Sequence, residues 1–183
     1  MPTRRTTEPT VEPITLAEAK IHLRVDGTAE DAYITTLIKT ARAACEDRIQ
    51  RTVPSTGLTL TLDKFPSAIK LEGPPIVSVA SLVYIDTAGV SQTLNPADYI
   101  VDTISEPGFI VPAPDKAWPA TQDRINAVNV VYTAGYTSVP EPLVAWMQLA
   151  IGDMYDNRSR SAAQPAVVQG FADSLLDTYR IFG

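Results

Sequence analysis

Cysteine and histidine are almost absent from this chain of 183 residues, which has Cys45 and His22 and no others. A lone cysteine can form neither an internal disulfide nor a multi-cysteine metal site, and its scarcity points to a reducing compartment. A lone histidine needs an orienting acid and a nucleophile before it can act as a general base. Asp26 is the nearest candidate acid in sequence. Both His22 and Cys45 therefore read as structural residues.

Long apolar runs are missing as well. No stretch approaches the ~20 apolar residues of a membrane span. The opening MPTRRTTEPTVEP has two Arg, three Pro and no apolar centre, so it fails as a signal peptide. Residues 1–13 are expected to form a flexible arm. Neither Gly-x-Gly-x-x-Gly nor Gly-Lys-Ser/Thr occurs, and there is no nucleophile-elbow pattern. The carboxylate pairs Asp153/Asp156 and Glu30/Asp31 fall on expected helix faces, whereas a hard cation needs several oxygens on a shaped loop. The sequence thus names no catalytic, cofactor-binding or metal-binding residue. Positive charge is in deficit too: 15 Lys and Arg against 21 Asp and Glu leave a net charge of −6. That excludes a sequence-independent grip on DNA or RNA, which rests on cationic neutralisation of phosphates.

What the chain does have is a change of pattern. Residues 14–51 carry twelve charged side chains, and residues 52–101, a longer stretch, only six. Such a shift marks a passage from amphipathic helix to half-buried sheet. Thr15 and Glu18 form a capping box that starts a helix over about 15–24, which stops before the turn pair Asp26-Gly27. Thr28, with Glu30 and Asp31 in the following turn, is expected to cap a second helix over 28–50. Ile34, Leu37, Ile38, Ala41, Cys45 and Ile49 recur at spacings of three and four along it, one stripe of a rod about 33 Å long. Lys39, Arg42, Glu46, Asp47 and Arg48 fall off the stripe. So narrow a stripe packs on one neighbour, most simply the C-terminal helix.

Strand patterns occupy 57–134. Leu58, Leu60 and Leu62 alternate with polar residues, and Ile69–Leu71 is short. Val77, Val79, Val83 and Ile85 are expected to share a face, and Asp86-Thr87-Ala88-Gly89 reads as a hairpin turn into 90–94. Tyr99–Val101 and a last strand with Val128, Val130 and Tyr132 on one face complete the set. Pro107, Pro112, Pro114 and Pro119 make the intervening 105–123 a long loop, which holds Trp118. Ser138 and Glu141 suggest a further capping box, opening an apolar helix over 140–158. Phe171, Leu175, Tyr179 and Phe182 suggest a short final helix. The fold class is α+β: an N-terminal helical hairpin and C-terminal helices packed together, with a central antiparallel β region. Residues 14–160 are expected to form a single domain, followed by a linker and C-terminal segment over 161–183. Trp118 either covers the local core or serves a subunit contact, where Trp is enriched. Arg158 and Arg160, just past the helix, suit either a partner's acids or the helix dipole.

The order of these elements resembles the head–tail connector (adaptor) family of long-tailed bacteriophages. The resemblance rests on Ile14-Thr15-Leu16-Ala17-Glu18-Ala19-Lys20, Leu23-Arg24-Val25-Asp26, Leu62-Asp63-Lys64-Phe65-Pro66, and Pro74-Pro75-Ile76-Val77-Ser78-Val79. It continues through Tyr84-Ile85-Asp86, Tyr132-Thr133-Ala134-Gly135-Tyr136 and Met154-Tyr155-Asp156-Asn157-Arg158, and so covers about 14–160. It implies a structural protein of the virion neck, assembled in the host cytoplasm, with no enzymatic activity and no cofactor. It further implies a ring, typically twelvefold in the virion, under the portal protein. Such a ring extends the channel for double-stranded DNA and docks the next neck or tail-completion component. Carried onto this chain, the portal-facing segment is 165–183, with Phe171, Tyr179 and Phe182. The contact with the next ring is the Asp86–Gly89 turn or the 105–123 loop. Another neck or tail-completion protein is the nearest alternative. Outside the structural class stand a small metal-dependent hydrolase, with His22 among acids, and a monomeric ligand-binding module.

Overall fold

Thr15 caps the first helix as its spacing predicts: its hydroxyl accepts from the Glu18 amide at 3.2 Å, and the Glu18 carboxylate accepts from the Thr15 amide at 2.8 Å. These bonds are seen in a computed structural model that describes residues 3–157 and 169–181. In chain order the elements are β1 (Thr3–Arg5), α1 (Leu16–Leu23), α2 (Asp31–Ile49), β2 (Thr56–Leu62), β3 (Ile69–Leu71) and β4 (Ile76–Ile85). They continue with β5 (Ser91–Thr93), β6 (Tyr99–Asp102), β7 (Gly108–Pro112), β8 (Val128–Ala134), α3 (Glu141–Asp156) and α4 (Gln169–Ser174). The mixture of helices and antiparallel sheets is the α+β class expected.

Where one domain over 14–160 was expected, the chain divides into two compact units, each made of two separate stretches. One comprises the chain through Thr10 and Ser55–Gly135; the other comprises Val11–Pro54 and the chain from Tyr136 onward.

The first unit is built of β-strands, with one 3-10 turn at Pro96–Asp98. Five strands run in the order β1-β2-β8-β4-β5, and three more in the order β3-β7-β6, every pairing antiparallel. Leu58, Leu60 and Leu62 of β2 and Val128, Val130 and Tyr132 of β8 are buried, as their alternation requires. Three expectations change here. Residues 3–5 are not a free arm: Thr3 pairs with Leu60 and Arg5 with Leu58, and the Thr3 hydroxyl donates to Glu72 at 2.7 Å. Three residues are too few to show strand periodicity, so the sequence conceals them. In β4 the buried side chains are Ile76 and Leu82, and Val77 is exposed. Register shifts between Ile76 and Ser78 and again between Val79 and Ser81 reset the alternation each time.

The third change is β7, which lies inside the expected Pro-rich loop and is the centre of the three-stranded sheet. Ile110 is fully buried there. Pro112, at the strand's end, needs no ladder hydrogen bond. Gly108 permits the close approach: a Cβ at that position would lie 2.7 Å from the Asp102 carbonyl oxygen and 2.8 Å from Ile76 Cγ1.

The second unit is helical. Ile34, Leu37, Ile38, Ala41, Cys45 and Ile49 of α2 pack with Leu143, Trp146, Met147 and Ile151 of α3, and with Ala19 of α1. Each fully buried Leu or Ile of such a stripe contributes about 1.5–3 kcal/mol of transfer free energy. The stripe predicted for α2 is the stripe that is buried. The caps differ: α2 begins at Asp31 after a turn whose Thr28 carbonyl accepts from the Asp31 amide. Neither Glu30 nor Pro140, the residues that cap α2 and α3, makes a side-chain cap bond. Thr28 and Ser138 each stand two residues before the observed cap, too early to act as one. Beyond α4 a single 3-10 turn spans Asp177–Tyr179, and the buried side chain is Leu176, where Leu175 was expected. Among the described residues, no helix is long and apolar enough to cross a membrane.

Candidate interaction surfaces

The Asp86–Gly89 turn is built around one carboxylate. Asp86 Oδ1 accepts from the amides of Ala88 and Val90, each at 2.9 Å, and Oδ2 accepts from Gln92 Nε2 at 2.9 Å. These bonds, that from Gln92 first among them in its effect on the carboxyl, hold it below the usual aspartate range. Gly89 has φ +81°, a left-handed conformation that a β-carbon disfavours. A β-carbon there would stand 3.6 Å from the Gln122 amide group. The turn is therefore tied to the segment before β8, where the Gln122 amide donates to the Ile85 carbonyl at 3.0 Å. Exposed Val90 and Ile125 flank this end of the five-stranded sheet.

Trp118 lies elsewhere in the same unit. Its ring stacks on Phe65 with centroids 4.8 Å apart and an interplanar angle of 8°, and Phe65 meets Tyr84 edge-on at 5.7 Å. The indole covers the apolar core beneath it. Its Nε1 is buried and has no hydrogen-bond partner among the described residues. Lys116 holds the same loop through Asp98, Nζ to Oδ1 at 3.0 Å.

In the helical unit, Tyr179 is half-buried beside the end of α2. Arg51 Nε donates to its carbonyl at 2.6 Å, and the Ile181 amide donates to the Ile49 carbonyl at 3.1 Å. Asp173 receives the Arg48 guanidinium and the Trp146 indole N–H, the latter at 3.2 Å, while the Arg48 guanidinium lies 5.3 Å from the Trp146 ring centroid. Burial raises the Asp173 pKa, but the bonds from Arg48 and Trp146 outweigh it and the carboxyl sits below its usual range. Phe171 belongs to α4, and Tyr179 is the last residue of the 3-10 turn that follows it. Arg158, Arg160 and Phe182 lie outside the described residues.

One polar core has almost no signature in the sequence. Arg42, 5% exposed, binds Glu12 through Nε at 2.8 Å and Glu46 through Nη1 at 3.0 Å, and Glu46 accepts the Val53 amide at 3.0 Å. Only the i,i+4 relation of Arg42 and Glu46 was visible beforehand. Cys45 is fully buried, and desolvation pushes its thiol up to about 12, the reverse of nucleophile activation. His22 and Asp26 are both exposed. Among the described residues no three of His, Cys, Asp or Glu gather in a way that could hold a metal ion.

Residues 13–87, which run from before α1 through β4, match the family model described as the phage gp6-like head-tail connector protein. The solved structures extend the likeness to the rest of the chain. A chain in the neck of an empty gene transfer agent particle, computed with C6 symmetry, matches at TM-score 0.83 and 23% identity. The match covers 100% of this chain and 97% of that one. The two chains share one fold. A chain in the virion of the native gene transfer agent particle matches at TM-score 0.80 and 24% identity, again over 100% of this chain and 97% of that one. A chain in the native neck computed with C12 symmetry matches at TM-score 0.78 and 23% identity, with the same coverage. No curated protein matches. The connector resemblance read from the sequence thus holds over residues 13–87, and the whole chain shares the fold of these neck chains.

Proposed function

We propose that this protein is a structural head–tail adaptor. It forms a ring under the portal, extends the channel through which double-stranded DNA passes, and docks the next neck or tail-completion component. The observation that supports this most is the coincidence of two matches. The connector model covers residues 13–87, and chains of assembled necks share the fold end to end. The C6 and C12 symmetries of those necks favour a ring of identical subunits here, with twelve copies as the expected number. The protein acts without catalysis, in the virion neck after assembly in the host cytoplasm. Net negative charge suits a channel wall that repels phosphates and lets DNA pass.

Within this reading the segment 165–183, with Phe171, Tyr179 and Phe182, faces the portal, and Arg158 and Arg160 meet acids of that partner. The Asp86–Gly89 turn, flanked by Val90 and Ile125, faces the next component. Trp118, stacked on Phe65, serves to cover the core of the sheet unit. Native mass spectrometry over rising concentration, alone and with assembled portal, tests the proposal. A closed ring near twelve subunits, or many copies loading onto the portal, is expected. A monomer that ignores the portal at high concentration would overturn it.

A further inference from the structure

The helical unit leaves two helix faces uncovered, and they differ in character. On α2 the exposed residues are Ala32, Thr36, Lys39, Thr40, Ala43, Asp47 and Arg48. The first five form a stripe of mostly small side chains at spacings of three and four, and Asp47 and Arg48 follow it at the C-terminal end of the helix. The Thr36 hydroxyl donates to the Ala32 carbonyl at 3.0 Å and the Thr40 hydroxyl to the Thr36 carbonyl at 2.9 Å. Both hydroxyls are therefore satisfied within the helix, and covering the stripe strands no polar group there. Lys39 is its one cation, and no described residue forms an ion pair with it.

The outer face of α3 is the opposite in relief and in sign. Leu149, 44% exposed, projects from it, and Glu141, Asp153 and Asp156 are its exposed charges, with no basic residue anywhere in α3. Leu149 and Asp153 are four residues apart and share that face. On the neighbouring α1, Ile21 is 78% exposed. Because α2 and α3 pack on each other through their buried stripes, their exposed stripes point away from each other.

We propose that this pair of faces is the contact between successive copies of the chain. Leu149 of one copy sits over the Thr36–Thr40–Ala43 stripe of the next, and Asp153 of the first meets Lys39 of the second. The proposal rests on the ring reading above and names the residues that would make it. Three features favour a second copy as the occupant. The protruding apolar residue meets a smooth stripe of small residues, the geometry of a knob entering a shallow hole. The charges are complementary. The two faces point in opposite directions, so the contact is head-to-tail and repeats from copy to copy, as a closing ring requires and as a two-fold dimer does not.

The test uses the full-length chain. Lys39→Glu alone and Asp153→Lys alone should each raise the concentration for half-assembly of the ring about two- to five-fold, the scale of one ion pair per contact. The doubly reversed chain should recover assembly. Independently, Ala43→Cys with Leu149→Cys should yield a ladder of disulfide-linked multimers under mild oxidation, and neither single variant should. Circular dichroism of each variant should match the parent, since all four positions are exposed. A parent that forms the ring, with assembly unmoved by either reversal and no ladder from the paired cysteines, would overturn this contact and leave the ring reading intact. A parent that forms no ring, alone or on assembled portal, would overturn both.

Discussion

At the scale of single residues, the burial of Arg42 is the observation with the most consequence for stability. Its guanidinium joins a carboxylate thirty residues upstream to one a helical turn ahead, and the latter also holds the Val53 amide. Removing the cation leaves Glu12 and Glu46 together with their charges only partly hydrated. Arg42→Ala should therefore destabilise the protein by about 3 kcal/mol, read as a lowered midpoint in urea unfolding. Lys39→Ala, three residues earlier on the exposed side, should stay within about 0.5 kcal/mol of the parent monomer. The contrast was not legible in the sequence. Both side chains fall off the apolar stripe, and only the tertiary position of Glu12, in a segment without periodicity, separates them. Thr15 and Glu18 were legible for the converse reason, because a capping box is complete within four residues and needs nothing from the rest of the chain.

Elements differ in the same way. α2 and β2 declare themselves because one unbroken period runs through each, whereas β4 carries two register shifts and the alternation read across them puts the wrong side chains inside. β7 was hidden by prolines that flank it, with Gly108 the one cue to a close backbone approach. The β4–β5 hairpin supplies a prediction at this scale. Its turn is organised by an ionised Asp86, whose folded pKa lies below the ordinary value of ~3.9. For a depressed carboxylate the stabilisation is complete above the unfolded pKa and is lost as pH falls through the folded one. The amide NMR signals of Ala88 and Val90 should therefore titrate together with a midpoint below ~3.9. Asp86→Ala should abolish that titration. A midpoint at or above the ordinary value would show that the carboxylate does not organise the turn. The surfaces assigned to partners are less legible than these elements, since an exposed stripe has no pattern of its own until its neighbours are known.

For the molecule as a whole, the path of the chain matters more than any one contact. It passes from the sheet unit to the helical unit after Thr10, returns after Pro54, and leaves again after Gly135. A chain ending at residue 139 would contain every strand but would leave Ile34, Leu37, Ile38 and Cys45 without α3. It should bind a hydrophobic dye and aggregate on expression. A chain in which a short Gly/Ser linker joins Thr10 to Ser55 and which ends at Gly135 should stay soluble and keep its β circular dichroism. The interleaved path also sets the order of events during synthesis. The first strand leaves the ribosome some fifty residues ahead of its partner β2, and the α1–α2 hairpin waits through the entire sheet for α3. Neither unit can finish before most of the chain has been translated, so the α2–α3 layer is completed only after every strand of the sheet unit has been made.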